Sequence, residues 1–393
     1  MLKPSFLLTI IMVGSVLVGC IPATQPVEAE TFQEITSLAE ETLAPESPAN
    51  PYLNCLSPVL KMNVPRAAHT ATLLPDGRVL IAGGFREEVT SEVAIADAEL
   101  FDPTTKTFVP TGSMNEPRDG HTATLLPNGQ VLIVGGWNQS GRSSTAELYD
   151  PLTEKFEYTA SLMAPRQGMT ATLLNNGQVL IAGGDSARST PQMTAELYDP
   201  ATKRFIASGS LDHGRMAHSA TLLKDGKVLL VGGSPGNGDV LASAEIYDPQ
   251  TGTFSPTSDA SMVRYKHSAV LLQDGNVLIL GGSNQEDWSG KYDSAEVYNS
   301  RTGIFMGISD MNRKRFKLAD AAILLPDGNV LIGGGNRQLE IFDVQDQEFI
   351  LSDSLDNDYY SSVLTLLDTE HVLITGGYDA NIQPSDKAWL YCG

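Results

Sequence analysis

The chain has 393 residues, of which 47 are Asp or Glu and 26 are Lys or Arg, and its formal charge at pH 7 is -21. A charge this negative argues against binding to a nucleic-acid backbone, which requires clustered positive charge. Hydrophobic residues make up 41% of the chain and charged residues 19%. The chain can therefore bury a large core, and its composition is not that of a disordered protein.

The first 19 residues have the pattern of an export signal. Lys3 precedes an apolar run over residues 6–18, which is shorter than the roughly 20 residues of a transmembrane helix. The run ends in Leu17-Val18-Gly19-Cys20, which resembles the lipobox of bacterial lipoproteins, where cleavage precedes a cysteine that carries lipid. We predict a signal peptide over residues 1–19 and lipidation of Cys20, with a plain signal peptide as the alternative.

Residues 20–54 have the composition of a flexible tether. Between residues 21 and 60 there are six Glu and no Lys or Arg, with scattered Pro and Ala. Such a segment favours a solvated spacer over a packed element. We predict that this tether holds a folded domain, residues 55–393, at the bacterial cell envelope, either in the periplasm, at the outer membrane or on the cell surface.

An apolar run followed by two glycines recurs through the folded domain at steps of 42 to 53 residues. A period of about 50 residues with a glycine signature is typical of propeller blades. The seven doublets are Gly83-Gly84, Gly135-Gly136, Gly183-Gly184, Gly232-Gly233, Gly281-Gly282, Gly334-Gly335 and Gly376-Gly377.

Each repeat unit predicts four short antiparallel strands. The second unit shows the order: an alternating strand over residues 121–126, the Asn128-Gly129 turn, an apolar strand ending at the doublet, the Glu-x-Tyr-Asp strand at residues 147–150, and a strand that contains Phe156. The chain ends after the third strand of unit seven. Residues 56–66 match the fourth strand and following corner of other units, so we predict that this N-terminal strand completes the last blade and removes two exposed sheet edges.

The doublet glycines, the Glu-x-Tyr-Asp strand and the Met-x-x-Pro-Arg corner at residues 114–118 resemble the kelch β-propeller over residues 56–393. The resemblance implies an all-β, seven-bladed kelch-type propeller. It does not select a function, because kelch propellers serve as enzymes, ligand binders and protein-binding scaffolds. The chain departs from the family in two ways: Phe replaces the usual Trp of the fourth strand, and unit six has Lys317 and Asp320 where earlier units have Arg and His.

Charged residues that recur once per unit are expected to be structural. Glutamates occupy one repeat position at 99, 147, 196, 245, 296 and 340, and arginines occupy another at 66, 118, 166, 215 and 264. A catalytic group is needed once, whereas buried charges must pair wherever they occur. Histidines at 69, 121, 218 and 267 share a third position, for which we expect hydrogen bonding in preference to metal binding. We therefore assign no catalytic, metal or cofactor residues.

The two remaining cysteines lie at the seam of the predicted ring. Cys392 occupies the position of Asp102 in unit one, and Cys55 occupies that of Thr107, which faces it across a short turn. Cross-strand neighbours lie near disulfide reach, so we predict a Cys55–Cys392 bond, with two unpaired cysteines as the alternative. Kelch-like enzymes with a copper radical site need a Cys–Tyr crosslink, which this placement argues against.

The residues that follow the doublets predict a binding surface on the variable loop face. They place aromatic rings on consecutive blades and polar groups opposite, a combination that suits a sugar or a peptide. The predicted ligand-binding residues are Phe85, Trp137, Asp185, Arg188, Trp288, Asn336, Arg337 and Tyr378. The same aromatics could instead pack beneath their own loops.

We expect a monomeric binding module for a glycan, a peptide or a protein partner, attached to the membrane only through its N-terminal lipid. The rival hypothesis is a carbohydrate-active enzyme of mutarotase, epimerase or hydrolase type on the same face, since periplasmic sugar mutarotases resemble kelch propellers. A structural envelope protein without a small ligand is a third possibility.

Overall fold

The computed structural model describes residues 50–58, 61–88, 91–186, 191–236, 238–284, 290–367 and 371–392. These residues contain strands, turns and no helix, so none of them forms a helix that could cross a membrane. The predicted signal peptide, Cys20 and residues 20–49 of the predicted tether lie outside the described residues.

The described strands form seven four-stranded antiparallel blades. From inner to outer strand, the first four blades are β2 (Thr70–Leu73), β3 (Val79–Ala82), β6 (Ala98–Asp102) and β7 (Thr107–Pro110); β8 (Thr122–Leu125), β9 (Val131–Val134), β12 (Ala146–Asp150) and β13 (Lys155–Tyr158); β14 (Gln167–Leu173), β15 (Val179–Asp185), β16 (Thr194–Asp199) and β17 (Arg204–Ser210); and β18 (Ser219–Leu222), β19 (Val228–Val231), β20 (Ala244–Asp248) and β21 (Thr253–Pro256).

The other three blades are β22 (Ser268–Leu271), β23 (Val277–Leu280), β24 (Ala295–Asn299) and β25 (Ile304–Gly307); β26 (Ala322–Leu324), β27 (Val330–Ile332), β28 (Gln338–Asp343) and β29 (Glu348–Ser354); and β30 (Val363–Leu366), β31 (His371–Thr375), β32 (Ala388–Cys392) and β1 (Leu56–Pro58). Two short hairpins extend the loops of blades 1 and 2: β4 (Phe85–Glu88) with β5 (Ser91–Ala94), and β10 (Trp137–Asn138) with β11 (Gly141–Arg142).

The blades form a closed ring. The innermost strand of each blade contacts the innermost strands of both neighbours, and β30 contacts β2. The N-terminal β1 is the outermost strand of blade 7, pairing Leu56 with Tyr391 and Pro58 with Trp389. The predicted seven-bladed propeller, including its closure by the N-terminal strand, is confirmed.

The residues at the seam are also joined covalently and by hydrogen bonds. Cys55 and Cys392 form a disulfide with their Cα atoms 4.9 Å apart. Cys392 N donates to the Cys55 carbonyl, and the backbone N–H groups of Cys55 and Leu56 donate to the Asp353 carboxylate of blade 6. Residues 50–54 pack here too, because Asn50 donates to the Leu351 carbonyl.

The hydrophobic core lies between the blades. On β3, Leu80 and Ala82 pack against blade 2, whereas Val79 and Ile81 pack against blade 7. All four are buried because successive side chains of a strand point to opposite faces, and both faces of a blade are covered. This explains why the second strand of each unit is a continuous apolar run.

The glycine doublet is required where a corner of the chain passes very close to a blade. Gly83 and Gly84 both have positive φ, +61° and +93°. A Cβ atom on Gly83 would lie 2.6 Å from the Arg118 carbonyl oxygen, and one on Gly84 would lie 2.5 Å from that of Ala67. Only glycine satisfies both the backbone conformation and the space.

Candidate functional site

Six buried Arg–Glu ion pairs occur among the described residues, one in each of blades 1 to 6, with N–O distances of 2.5 to 2.9 Å. In blade 2, Arg118 pairs with Glu147, whose other oxygen accepts hydrogen bonds from the backbone and side chain of Asn115. Burial lowers the pKa of Arg66, and the Glu99 carboxylate opposes that effect. These pairs compensate one another's charge as structural groups, as their recurrence predicts, although the Nε atoms of four of the arginines are buried without a hydrogen-bond partner.

Each arginine also ties two neighbouring blades together. The backbone N–H of Arg118 donates to Ile95 of blade 1, and its carbonyl accepts from Gly84 of the same blade. Its guanidinium bonds to Gly135 and Glu147 of blade 2. Arg66 closes the ring in the same way, with its backbone bonded to blade 7 and its side chain to blade 1.

The predicted alignment of unit six is wrong. Arg315, and not Lys317, holds the arginine position, because its guanidinium bonds to Glu340 and to the Gly334 carbonyl. Leu318 approaches Gly281 as His267 approaches Gly232, so Leu318, and not Asp320, holds the histidine position. The Met311-to-Arg315 spacing, which equals that from Met114 to Arg118, is the sequence signal that identifies the correct arginine.

Blade 7 replaces the ion pair with an aromatic pair. The Tyr359 carbonyl accepts a hydrogen bond from Gly335, which is the contact that arginine makes elsewhere. Trp389 pairs with Ile374 as Glu99 pairs with Ile81. The two rings lie 5.4 Å apart between centroids.

Each of the four repeated histidines hydrogen-bonds to a Ser or Thr side chain of the preceding blade. His121 Nε2 lies 3.0 Å from Thr70 Oγ1 of blade 1, and His267 Nε2 lies 2.8 Å from Ser219 Oγ of blade 4. Burial lowers the pKa of both rings to about 3, so they are neutral at physiological pH. No three His, Cys, Asp or Glu side chains of the described residues converge as metal ligands.

A cavity of about 460 Å³ runs between the inner strands. Its mouth on the loop face is formed by the residue two positions after each repeated arginine, or after Tyr359 in blade 7, and this residue has a positive φ in every blade. Five of these residues are small and two are lysines on adjacent blades: Ala68, Gly120, Gly168, Ala217, Lys266, Lys317 and Ser361. Asp320 also faces the cavity, where desolvation by the surrounding protein raises the pKa of its carboxyl.

A lysine–aromatic cluster surrounds one side of the mouth; it consists of Lys291, Lys317, Phe316, Tyr360 and Tyr378. Lys291 Nζ donates to Tyr360 Oη at 2.8 Å, and Lys317 Nζ donates to Tyr378 Oη. Both ammonium groups also lie over the Phe316 ring, 4.9 and 5.3 Å from its centroid. Cationic and aromatic groups from blades 5, 6 and 7 therefore meet at one place.

Phe85 of blade 1 extends the aromatic surface of this cluster. Its ring centroid lies 5.8 Å from that of Tyr378, which in turn lies 5.8 Å from that of Tyr360. Phe85 and Tyr378 are only 6% and 5% exposed, so the rings pack against one another beneath the surface.

A tryptophan cluster of Trp137, Arg142, Asp185 and Asp119 lies on blades 2 and 3. The Arg142 guanidinium lies 5.0 Å from the Trp137 ring centroid and donates to Asp185 Oδ2 at 2.5 Å. Trp137 remains 37% exposed, and its backbone pairs with that of Asp119. Burial, with a smaller effect from the Glu92 carboxylate, raises the pKa of Asp119 to about 7.

The predicted ligand-binding residues therefore fall into separate groups. Trp137 and Asp185 belong to the tryptophan cluster, while Phe85 and Tyr378 form the buried aromatic surface. Asn336 is half-buried and Arg337 is exposed on the short loop of blade 6, where its N–H donates to Asp358. Arg188 and Trp288 lie outside the described residues.

Sequence reasoning missed Lys266, Lys291, Lys317, Asp119 and Arg142. Lys266 and Lys317 could have been recognised from the sequence, since every other unit has a small residue two positions after its repeated arginine, or after Tyr359 in unit seven. Lys291 and Arg142 lie on loops of different lengths, where a repeat alignment provides no reference position.

The kelch motif matches the sequence at residues 120–163 and 215–260. No curated protein matches the chain. The fold is similar to a solved structure titled "Structure of YjhT", at a TM-score of 0.56 and 14% identity, over 84% of this chain and 96% of that one. The two motif matches place kelch repeats in blades 2 and 4, and together with the seven four-stranded blades they support a kelch-repeat β-propeller.

Proposed function

We propose that the protein is a binding module, anchored to the bacterial envelope through Cys20, whose loop face binds a glycan or a peptide. The observation that carries this proposal is the exposed Trp137 ring, held in place by Arg142, which is itself fixed by Asp185. A rigid indole presents a large apolar face at low cost in conformational entropy, and such residues anchor carbohydrate and protein interfaces.

The asymmetry of the loop face supports the same function. Residues that build the ring recur in nearly every blade, whereas Trp137, Arg142 and the lysine–aromatic cluster each occur once. A scaffold needs its contacts in every blade, but one ligand needs one set of contacts. The unrepeated groups are therefore those that ligand binding would require.

A thermal-shift screen of the intact protein against glycan and peptide libraries tests the proposal. A ligand that binds only the folded state raises the melting temperature. We expect at least one glycan or peptide to do so, with a binding constant that weakens when Trp137 is replaced. If every ligand found were indifferent to Trp137, the loop face would not be the binding surface.

The second candidate is a carbohydrate-active enzyme, and Asp119 is the observation that favours it. A carboxyl with a pKa of about 7 can both accept and donate a proton near neutrality, which interconversion of sugar anomers or glycoside hydrolysis would require. Asp119 lies beside the exposed Trp137 and next to the cavity residue Gly120. Asp119→Asn would abolish turnover while leaving binding intact if this candidate is correct.

A further inference from the structure

Blade 6 has two extra residues between its corner and the end of its inner strand. Arg315 precedes Leu325, the first residue after that strand, by ten positions. The corresponding spacing in every other blade is eight, as from Arg118 to Leu126, or from Tyr359 in blade 7. Leu325 and Leu126 are equivalent, because each donates its backbone N–H across the hairpin turn to the residue four positions later. An insertion into one unit of a repeat protein commonly serves binding.

The extra residues bring Asp320 into the cavity. They form a turn in which the Ala321 N–H donates to the Leu318 carbonyl at 3.0 Å. The Asp320 carbonyl accepts from the Leu364 N–H of blade 7 at 2.8 Å, so the turn is fixed against the neighbouring inner strand. Asp320 is exposed where it lines the cavity. The backbone of this residue is therefore held in place, while its carboxyl group is accessible to a ligand.

The Asp320 carboxylate has no compensating group in the part of the chain that the structure describes. It forms no hydrogen bond or ion pair there, and desolvation by the surrounding protein raises the pKa of the carboxyl. A charge in such surroundings costs free energy unless a hydrogen-bond donor or a cation binds it. A ligand that carries hydroxyl groups would supply the missing donors.

The rest of the cavity lining suits a sugar. Threonine, serine and alanine residues of the inner strands line it, including Thr72, Ala123 and Thr170. Their small side chains leave a volume of about 460 Å³, which is of the size that holds small ligands. A sugar ring combines hydroxyl groups with apolar C–H surface, and this lining offers hydroxyl and methyl groups together with one carboxylate.

We infer that Asp320 is the main polar recognition group for a single neutral sugar unit that enters the cavity, its carboxylate accepting hydrogen bonds from the sugar hydroxyls. The inference takes its ligand class, a glycan, from the proposed function, and it adds a contact site separate from the exposed Trp137 ring.

Calorimetry of the intact protein with glucose, galactose and mannose tests this inference. At least one of these sugars should bind at millimolar concentration. Asp320→Asn should weaken its binding about tenfold, because a hydrogen bond to a charged acceptor contributes more than one to a neutral acceptor. Glucosamine should bind no more tightly than glucose. If none of the three neutral sugars binds, or if glucosamine binds more tightly than all of them, the inference is overturned.

Three variants separate recognition by Asp320 from folding. Asp320→Asn should maintain or raise the melting temperature, because it removes a desolvated charge that has no partner. Asp310→Asn is the matched control and should bind sugar normally, since Asp310 is an exposed aspartate of the same blade that is not among the cavity-lining residues. Ala319→Phe introduces a large ring beside Asp320 and should weaken binding while the carboxylate remains.

Unchanged sugar affinity in Asp320→Asn or in Ala319→Phe would refute the inference. A large fall in melting temperature in Asp320→Asn would assign the carboxylate a structural role and refute it as well. A glycan whose binding requires Trp137 but tolerates both cavity variants would refute the inference and leave the proposed function intact.

Discussion

Tyr359 packs against Trp389 in blade 7 at the two positions where blades 1 to 6 place an arginine and a glutamate. The aromatic pair does not need the compensation that a buried ion pair requires, because neither ring carries a charge into the interior. Within one propeller, an ion pair and an aromatic pair thus perform the same structural task.

The first prediction transfers this aromatic pair to blade 2. Glu147→Leu should destabilise the protein by about 3–5 kcal/mol, because it leaves the buried Arg118 charge uncompensated. The double variant Arg118→Tyr with Glu147→Trp removes the charge altogether and should lose less. Chemical denaturation of the three proteins measures the difference. A double variant no more stable than the single one would show that the arginine contacts with backbone carbonyls, and not charge compensation, dominate.

The second prediction concerns acid stability. The folded state holds His121 and His267 at a pKa of about 3, whereas an unfolded histidine titrates near 6.5. The unfolded chain therefore binds more protons between these values, and stability should fall as the pH drops from about 6.5 towards 3. His267→Gln should reduce this slope, while His213→Gln, a change at an exposed histidine, should leave it unchanged. Equal slopes in all three proteins would contradict the prediction.

The third prediction addresses the seam. Peptide mapping without reduction should recover Cys55 linked to Cys392, and an alkylating reagent should modify neither residue before reduction. The bond closes a loop of 337 residues, for which the chain-entropy relation gives about 5–6 kcal/mol as an upper figure. Cys392→Ser should lower the denaturation midpoint accordingly. Recovery of both cysteines as free thiols is the result that would exclude the bond in the protein.

The fourth prediction concerns the tryptophan cluster. Trp137→Ala should weaken binding of any ligand found on the loop face and lower the melting temperature less than removal of a buried ring, because Trp137 is 37% exposed whereas Tyr378 is 5% exposed. Leu152→Ala provides the control, since Leu152 is a fully exposed apolar side chain in the turn between β12 and β13. Tyr378→Ala is expected to lower stability as well, because that ring is buried against Tyr360 and Phe85. Normal binding by the Trp137 variant would move the site elsewhere.

The fifth prediction concerns the anchor. Cys20→Ser should move the protein from the membrane fraction to the soluble fraction, and the N-terminal peptide of the unaltered protein should carry acyl chains on Cys20. Cys392→Ser should remain in the membrane fraction. Unchanged fractionation of the Cys20 variant would rule out lipid attachment at this residue.

The closed propeller was predictable from the sequence because the residues that form it recur in each unit. The doublet of Gly83 and Gly84 is required by backbone conformation and close contact, and the same requirement returns in the other blades except blade 6, where only Gly335 of the doublet has a positive φ. Unit six was misaligned because two basic residues, Arg315 and Lys317, lie close together in a corner that lacks proline.

The candidate site was less predictable because its contacts are not repeated. Lys291 meets Tyr360 across two blades, 69 residues apart in the chain, and no local pattern specifies such a contact. The residues after the doublets were expected to form one continuous aromatic arc. In the structure, Trp137 is exposed, while Phe85 and Tyr378 are buried in a cluster with Phe316 and Tyr360.

The closure of blade 7 by β1 has a mechanical consequence. Cys55 immediately precedes Leu56, the first residue of β1, so a pulling force applied along the preceding chain reaches the disulfide before it reaches the hydrogen bonds of that strand. The covalent bond passes the load into β32, which is held by β31 along its whole length. Tension would thus be spread through the centre of blade 7, and β1 would be protected from being peeled away one residue at a time.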